Sequence, residues 1–206
     1  MKVSGEYFDR MYADADDPWQ LASRWYEQRK YAITMSLLPA RRYRHAFEPG
    51  CSIGTLTELL SQRCDHLTSM DVAAAALATA DGRLSAAGCR DQVSLVHGAL
   101  DEPWPAGRFD LVVLSEVAYY LDADLLAEVL RRECLRWADG ATVLAAHWRH
   151  PVADYPITGD QAHEIIAATA GLVSVGRYRD DDVVIEVFDT GDGTSVAARE
   201  AVPGAR

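Results

Sequence analysis

The chain has 206 residues, of which 49% are hydrophobic and 25% are charged, and its formal net charge is −11. This length and composition are typical of one globular domain, and they exclude a disordered or membrane-embedded chain. The excess of negative charge argues against a surface that follows nucleic-acid phosphates, so we expect no nucleic-acid partner.

Localisation and metal binding are both constrained by what the sequence lacks. No stretch approaches the roughly 20 apolar residues that span a bilayer, and the N-terminus has no apolar run typical of a signal peptide. The cysteines Cys51, Cys64, Cys89 and Cys134 form no C-x-x-C pair and have no histidine at metal-ligand spacing. We therefore expect a cytoplasmic protein with reduced thiols, no membrane partner and no metal site.

The first predicted helix begins at Asp17-Pro18-Trp19-Gln20, with Asp17 as the cap and Pro18 at the first helical position. It continues to about Leu38. One face carries an apolar stripe, predicted to face inward: Leu21, Trp25, Ala32 and Met35. The other face is aromatic and basic: Arg24, Tyr26, Arg29, Lys30 and Tyr31. Such a face predicts that residues 1–40 form a helical lid that closes over a ligand and excludes water.

Residues 45–54 form the centre of the predicted fold, because they combine a buried strand with a glycine turn that opens a helix over 55–62. Glu48, Gly50 and Gly54 give the spacing acid-x-Gly-x-x-x-Gly. Gly50 can take a positive φ or let a ligand lie against the backbone. Ser52 stands where a dinucleotide fold has the glycine that admits a pyrophosphate. The turn therefore favours a nucleoside ligand without a pyrophosphate.

A second strand is predicted over 66–71, followed by an alanine-rich helix over 73–87. It ends in Asp71, which follows Gly54 by 17 positions. In nucleotide-binding βαβ units an acid about 20 positions after the glycines binds the ribose diol, since a carboxylate offers two acceptor oxygens to two hydroxyls. We therefore predict that Asp71 binds a ribose.

The remaining elements continue the alternation of strand and helix. Strands are predicted over 93–98, 109–114 and 142–148, helices over 124–137 and 159–169, and a closing hairpin over 172–178 and 183–188; residues 189–206 are predicted to be a flexible tail. This order predicts an α/β, three-layer, Rossmann-like fold with a mostly parallel sheet. Ligands of such sheets bind beyond the carboxyl ends of the strands. Five strand ends would meet there: Gly50, Asp71, Gly98, Glu116 and His147.

Three stretches resemble the motifs of class I S-adenosylmethionine-dependent methyltransferases: Glu48-Pro49-Gly50-Cys51-Ser52-Ile53-Gly54, Met70-Asp71, and residues 109–121. The last stretch, Asp17-Pro18-Trp19 and residues 25–31 are especially similar to the branch around nodulation protein S, which N-methylates an amino sugar. The resemblance covers about 17–188. It implies one methyltransferase domain over 1–188, with a seven-stranded sheet whose last two strands form an antiparallel hairpin.

One position departs from that family. An acid often follows the glycine at the end of the third strand and receives the adenine amino group, whereas Ala99 follows Gly98 here. Adenine would then be held by backbone around Ala99 and Leu100, or by Asp101 after a shift of the loop.

The motifs and the resemblance together predict a set of site residues. Those expected to bind S-adenosylmethionine are Trp19, Tyr26, Arg29, Glu48, Gly50, Cys51, Ser52, Gly54, Asp71, Val72, Ala99, Leu100 and Ser115. Those expected to contact the methyl acceptor are Tyr31, Tyr119 and Trp148. Two are expected to be catalytic: Glu116 would attract and orient an ammonium group, and His147 would take its proton.

The predicted function is methyl transfer from S-adenosylmethionine to an amine, or a hydroxyl, of a small molecule such as an amino sugar or a secondary metabolite. Two alternatives stay open: a nucleotide-binding oxidoreductase, and a noncatalytic module that binds S-adenosylmethionine. The protein would act as a monomer or a homodimer.

Overall fold

The computed structural model describes residues 2–205, which form a seven-stranded sheet with helices on both faces. The strands are β1 (Tyr43–Pro49), β2 (Cys64–Asp71), β3 (Val93–His97), β4 (Leu111–Ser115), β5 (Thr142–Trp148), β6 (Val173–Arg179) and β7 (Val183–Asp189). The helices are α1 (Gly5–Asp14), α2 (Trp25–Leu37), α3 (Thr55–Ser61), α4 (Ala74–Ala86), α5 (Ala123–Glu133), α6 (Gly159–Ala167) and α7 (Val196–Arg199). Short 3-10 turns occupy Arg90–Gln92, Ala118–Tyr120 and Cys134–Arg136.

The strand order is β3-β2-β1-β4-β5-β7-β6. Strands β1 to β5 run parallel, and β7 lies antiparallel between β5 and β6. The predicted three-layer fold with a closing antiparallel hairpin is therefore confirmed. Because the chain order reverses between β1 and β4, a crevice opens between the carboxyl ends of these two strands, which is where open α/β sheets bind ligands.

The core consists of one large apolar cluster on each face of the sheet. Successive residues of β4 alternate between them: Val112 and Leu114 belong to one cluster, and Leu111 and Val113 to the other. Side chains of a strand point alternately to the two faces, so a strand covered on both sides is apolar throughout. Because both faces of the strands are buried, the strand ends that form the crevice are held in place.

The helix predicted to start at Asp17 starts instead at Trp25, so this prediction was wrong. The Asp17 carboxylate accepts hydrogen bonds from the backbone N–H groups of Leu21 and Ala22, at 2.8 and 3.0 Å, and so closes a turn instead of capping a helix. Gln20 has a φ of 58°, a left-handed conformation that a helix does not contain. Helix α1, which precedes this turn, was not predicted.

The inward face of α2 also differs from the prediction. Its buried residues are Glu27, Lys30, Tyr31 and Thr34, at helical spacing, whereas Trp25 of the predicted apolar stripe is 74% exposed. Polar side chains take the buried face because they pair with one another and with the end of β4, as described below. Helix α2 therefore turns inward part of the aromatic and basic face that was predicted to close over a ligand.

The C-terminal segment contains one more short element. Helix α7 lies within residues 189–206, and Arg199 forms an ion pair with Asp189 at the end of β7. The flexibility of this segment stays a prediction, as do the domain bounds 1–188. Across residues 2–205, no helix is long and apolar enough to cross a membrane.

Candidate active site

A cavity of about 470 Å³ lies at the carboxyl ends of β1 to β4, beneath α1, α2 and the turn between them. It brings together most of the residues predicted to bind the cofactor or the methyl acceptor. Those that line it are Trp19, Tyr26, Tyr31, Glu48, Gly50, Cys51, Ser52, Asp71, Val72, Ala99, Leu100, Ser115, Glu116, Tyr119 and Trp148.

The glycine loop, residues 50–54, lies between β1 and α3 and contributes Gly50, Cys51 and Ser52 to the cavity. Gly50 has a φ of 74°, and a Cβ atom there would lie 2.8 Å from Cγ2 of Val117, so both the backbone and the available space require glycine. Ser52 also has a positive φ, of 50°. This conformation aims the Ser52 N–H at Oδ2 of Asp71, at 2.8 Å. The loop is thereby tied to the end of β2.

Asp71 is 7% exposed and has its carboxylate fixed by two backbone groups. Besides Ser52, the N–H of Ala73 donates to Oδ1 at 2.9 Å. Burial raises the pKa of Asp71, and these backbone hydrogen bonds oppose the shift. A carboxylate oxygen can accept more than one hydrogen bond, so both oxygens of Asp71 keep capacity for a ligand hydroxyl. A rigid, two-oxygen acceptor on a cavity wall suits a vicinal diol.

Glu48 lies deeper, beneath the loop, with a relative exposure of 2%. Its Oε2 accepts hydrogen bonds from the hydroxyls of Thr57 and Ser69, at 2.7 and 2.9 Å. Burial raises the pKa of this carboxyl to about 7, although both hydroxyl hydrogen bonds lower it. The group therefore changes charge near neutral pH.

Replacing Glu48 by glutamine is expected to change how stability depends on pH. The native carboxyl keeps its proton up to about pH 7, whereas the unfolded one loses it near 4.5. The wild type should therefore lose stability relative to Glu48→Gln as pH rises between these values, by on the order of 3 kcal/mol. Urea unfolding of both proteins at pH 5 and pH 7.5 measures this change. An equal difference in unfolding free energy at the two pH values would show that Glu48 titrates normally.

The end of β3 forms the cavity wall predicted to hold adenine. Lys2 contacts both oxygens of Asp101, at 2.8 and 2.7 Å, and the N–H of Ala99 donates to Glu102 at 3.1 Å. The Asp101 carboxylate is thus already engaged by the N-terminal segment. Between the two alternatives for adenine, this pairing favours the backbone near Leu100.

Glu116 follows β4 with a φ of 55° and is held by three donors. Oε1 accepts from Nζ of Lys30 at 2.7 Å, and Oε2 accepts from the hydroxyl of Tyr119 at 2.5 Å and the N–H of Trp148 at 2.9 Å. Nζ of Lys30 also lies 2.7 Å from Oε2 of Glu27. We call Glu27, Lys30 and Glu116 the charge triad.

Lys30 was placed by the sequence on the aromatic and basic face of the helix but was not among the predicted site residues. It is 1% exposed and lines the cavity, with its Nζ 5.5 Å from the ring centre of Tyr26 and 5.4 Å from that of Tyr31. Burial lowers the pKa of Lys30, but Glu116 and Glu27 outweigh burial and raise it overall. The ammonium group therefore stays charged. The available signal was its spacing of three from Glu27.

Arg29 and Gly54 lie outside the cavity, contrary to prediction. Arg29 faces the β6–β7 hairpin, where it bonds Asp180 at 2.9 Å and the hydroxyl of Tyr178 at 2.5 Å. This pairing keeps it from a cofactor carboxylate. Gly54 starts α3, and a Cβ there would lie 3.0 Å from the Cβ of Ala80. Gly54 thus allows α3 to pack on α4 and does not line the cavity.

The structure does not support the prediction that His147 takes a proton from the methyl acceptor. His147 is fully buried beneath the ring of Tyr119, and it does not line the cavity. Its Nε2 accepts from the N–H of Ala118 at 3.1 Å, and its Nδ1 lies 3.1 Å from Nε2 of His163. Burial and His163 hold the pKa of His147 well below its usual range. Its role is to hold the turn that carries Tyr119.

Aromatic rings form the wall between Glu116 and α6. Tyr26 meets Trp148 edge to face at 5.3 Å, and Tyr119 stacks on Tyr155 at 4.7 Å. Tyr155 was not predicted, because it lies in an irregular segment after β5 with no motif around it. No group of three or more metal-binding side chains occurs in the part of the chain that the structure describes.

The sheet order and the glycine-loop cavity define the fold of class I methyltransferases, and solved structures of that class share it. N-methyltransferase NodS from Bradyrhizobium japonicum WM9, in complex with S-adenosyl-L-homocysteine, matches with a TM-score of 0.79 at 24% identity, over 89% of this chain and 96% of that one. A candidate methyltransferase from Pseudomonas syringae matches with a TM-score of 0.68 at 33% identity, over 81% of this chain and 99% of the other.

The chain belongs to the nodulation protein S (NodS) family, whose model matches residues 6–136. Nodulation protein S of Bradyrhizobium diazoefficiens is 35% identical over 109 residues, which are 52% of this chain and 50% of that protein. The protein of the same name from Rhizobium tropici is 33% identical over 108 residues, which are 52% and 44% of the two chains. The matched region thus spans about half the length of these curated relatives or less.

Proposed function

We propose that this protein transfers a methyl group from S-adenosylmethionine to an amine of a small molecule. The observation that carries the proposal is Asp71, whose two oxygens are fixed by the N–H groups of Ser52 and Ala73 on the wall of the cavity. A ribose diol is the ligand group that this acceptor pair suits. The likeness to a solved N-methyltransferase that contains S-adenosyl-L-homocysteine supports the choice of nucleoside.

The residues of the cavity fit this cofactor along its length. Asp71 would hold the ribose, and Val72 and Leu100 would enclose adenine. The glycine loop would receive the amino acid end, beside the buried hydroxyl of Thr55, which has no partner within residues 2–205. Lys30 and Arg24 replace Arg29 as cations that line the cavity. The bound cofactor supplies an activated methyl group.

An amine fits the cavity better than a hydroxyl as the methyl acceptor. A hydroxyl needs a strong base to become a nucleophile, whereas an amine needs only to lose the proton of its ammonium form. The aromatic rings of Tyr26 and Trp148 lie beside the charge triad, and aromatic faces attract cations. The catalysis would come mostly from holding the nitrogen lone pair in line with the methyl group.

The N-terminal cover, residues 2–24, would act as the lid over both ligands. The hydroxyls of Tyr12 and Ser52 lie 2.5 Å apart, which ties α1 to the glycine loop. The N–H of Val3 donates to the carbonyl of Tyr120 at 2.9 Å. The cover therefore contacts the cofactor side and the acceptor side of the cavity, and closing it would exclude water from both.

Calorimetry tests the proposal against the two alternatives. S-adenosyl-L-homocysteine should bind and NADH should not, because Ser52 stands at the position that a pyrophosphate needs and is bonded to both Asp71 and Tyr12. Binding of NADH instead would favour an oxidoreductase. Transfer of labelled methyl groups to a panel of small amines and hydroxyl compounds then separates an enzyme from a binding module. Turnover restricted to hydroxyl compounds would contradict the choice of nitrogen.

A further inference from the structure

The proposed reaction leaves a proton without a recipient. An amine enters at neutral pH largely as an ammonium ion, which has no lone pair to form a bond with carbon. His147 is sealed beneath Tyr119 and bonded at both nitrogens. Glu116 accepts three hydrogen bonds, which hold its carboxylate in place. A carboxylate on the wall of the cavity with fewer hydrogen bonds than Glu116 is a better recipient.

The other carboxylates that line the cavity already have an assigned partner, with one exception. Asp71 is the proposed acceptor for the ribose, Asp101 is paired with Lys2, and Glu48 accepts from two hydroxyls beneath the glycine loop. Glu27, by contrast, has only one partner among residues 2–205: Oε2 lies 2.7 Å from Nζ of Lys30. Its side chain keeps 10% of its surface exposed and lines the cavity. Glu27 thus retains acceptor capacity at the wall of the cavity.

The net charge of the charge triad also favours Glu27 as the group that meets a ligand cation. Two carboxylates, Glu27 and Glu116, share the single ammonium group of Lys30, so the charge triad has a net negative charge when both carboxylates are ionised, and the side chain of Glu27 is only 10% exposed. Buried charges are costly unless paired. A ligand cation beside Glu27 would restore the balance, and the rings of Tyr26 and Trp148 would flank it.

We propose that Glu27 takes the proton from the substrate's ammonium group, so that the substrates are amines that enter the cavity as cations. This proposal rests on the proposed methyl transfer. In the step, one N–H bond of R–NH₃⁺ breaks and an O–H bond forms on the Glu27 carboxylate, while the electron pair of the N–H bond stays on nitrogen as the lone pair of R–NH₂. Glu27 gives the proton to solvent when the product leaves.

The electrostatic setting of Glu27 supports this role. Burial raises the pKa of its carboxyl, although the charge of Lys30 and its hydrogen bond oppose the shift. Glu116 raises this pKa further and Arg24 lowers it; Tyr26 and Tyr31 are the other titratable groups beside Glu27. A base is most effective when its pKa lies near the working pH, so an upward shift from the ordinary carboxyl range brings Glu27 closer to that condition.

Sinefungin allows a test that needs no identified substrate, because it carries an amine on the carbon that replaces the methyl-bearing sulfur of S-adenosylmethionine. Calorimetry should show that the wild type prefers sinefungin to S-adenosyl-L-homocysteine by about tenfold or more, as a charge-assisted hydrogen bond provides. Glu27→Gln should lose most of this preference and keep its affinity for S-adenosyl-L-homocysteine within about threefold. Glu27→Asp should keep part of the preference. Glu128→Gln, an equal charge change on the exposed side of α5, should keep all of it.

A second readout follows the Glu27 carboxylate itself. When sinefungin binds the wild type, infrared difference spectra should show a shift of the carboxylate bands as the ligand ammonium group bonds Glu27, and Glu27→Gln should lack this shift. A preference for sinefungin that survives in Glu27→Gln would overturn the proposal, as would an equal loss of affinity for both ligands, which would place Glu27 at the amino acid end. Failure of the wild type to bind S-adenosyl-L-homocysteine would instead reject the proposed function.

Discussion

Replacing Asp71 by alanine is expected to weaken the binding of S-adenosyl-L-homocysteine by about ten- to hundredfold. The substitution removes a charged acceptor that would hold the ribose hydroxyls, a loss of roughly 1.5–3 kcal/mol. It also frees the N–H groups of Ser52 and Ala73, so the glycine loop loses its link to β2. Isothermal titration calorimetry on folded protein measures the change.

A matched control lies at the other end of the same strand. Asp65→Ala removes an aspartate from the start of β2, where the side chain is 57% exposed and pairs with Arg42. This variant should bind S-adenosyl-L-homocysteine like the wild type. Wild-type affinity in a correctly folded Asp71→Ala would reject the ribose assignment.

Replacing Lys30 by methionine is expected to give the largest loss of stability, about 3–5 kcal/mol. The substitution leaves the buried Glu27 and the partly buried Glu116 without their shared cation, and breaking a buried ion pair from one side carries this cost. Urea unfolding at neutral pH measures it. Adding Glu27→Gln to Lys30→Met should recover part of the loss, because one of the two uncompensated charges is then removed.

The control for Lys30 is an exposed ion pair. Arg108→Met breaks the contact with Asp139, in which both side chains are more than half exposed. Such pairs contribute about 0–1 kcal/mol, so this variant should stay near the wild type. If Lys30→Met lost no more than Arg108→Met, the charge triad would have to be mostly solvated.

The sheet could be predicted because its signal is local. Strand β5 was predicted over the residues that it occupies, Thr142–Trp148, since a continuous apolar run describes a strand covered on both faces. The positions of Gly50, Asp71 and Glu116 followed from the topology, because parallel strands end at one edge. The sequence therefore indicates which residues lie at this edge of the sheet, although it does not indicate which side chains they contact.

The orientation of side chains could not be predicted in the same way. Arg29 and Lys30 are neighbours on α2, but one pairs with Asp180 at the surface and the other is buried in the charge triad. Which of them faces inward depends on the rotation of the helix. An apolar stripe normally sets this rotation, and here the buried face is largely polar. His147 was misjudged for a related reason: the strand end placed it near the crevice, but the turn over Ala118–Tyr120 covers it.

A third, smaller apolar cluster joins the N-terminal cover to the glycine loop and the start of α4, separate from the two clusters of the sheet. Tyr12, Ile53, Ala73 and Ala76 form its buried part, with Phe8, Trp19 and Leu21 packed against it. A small cluster of this kind can open locally at much lower free energy than the whole domain. We therefore expect substitutions in the cover to change amide exchange and ligand dissociation rates more than they change the melting temperature.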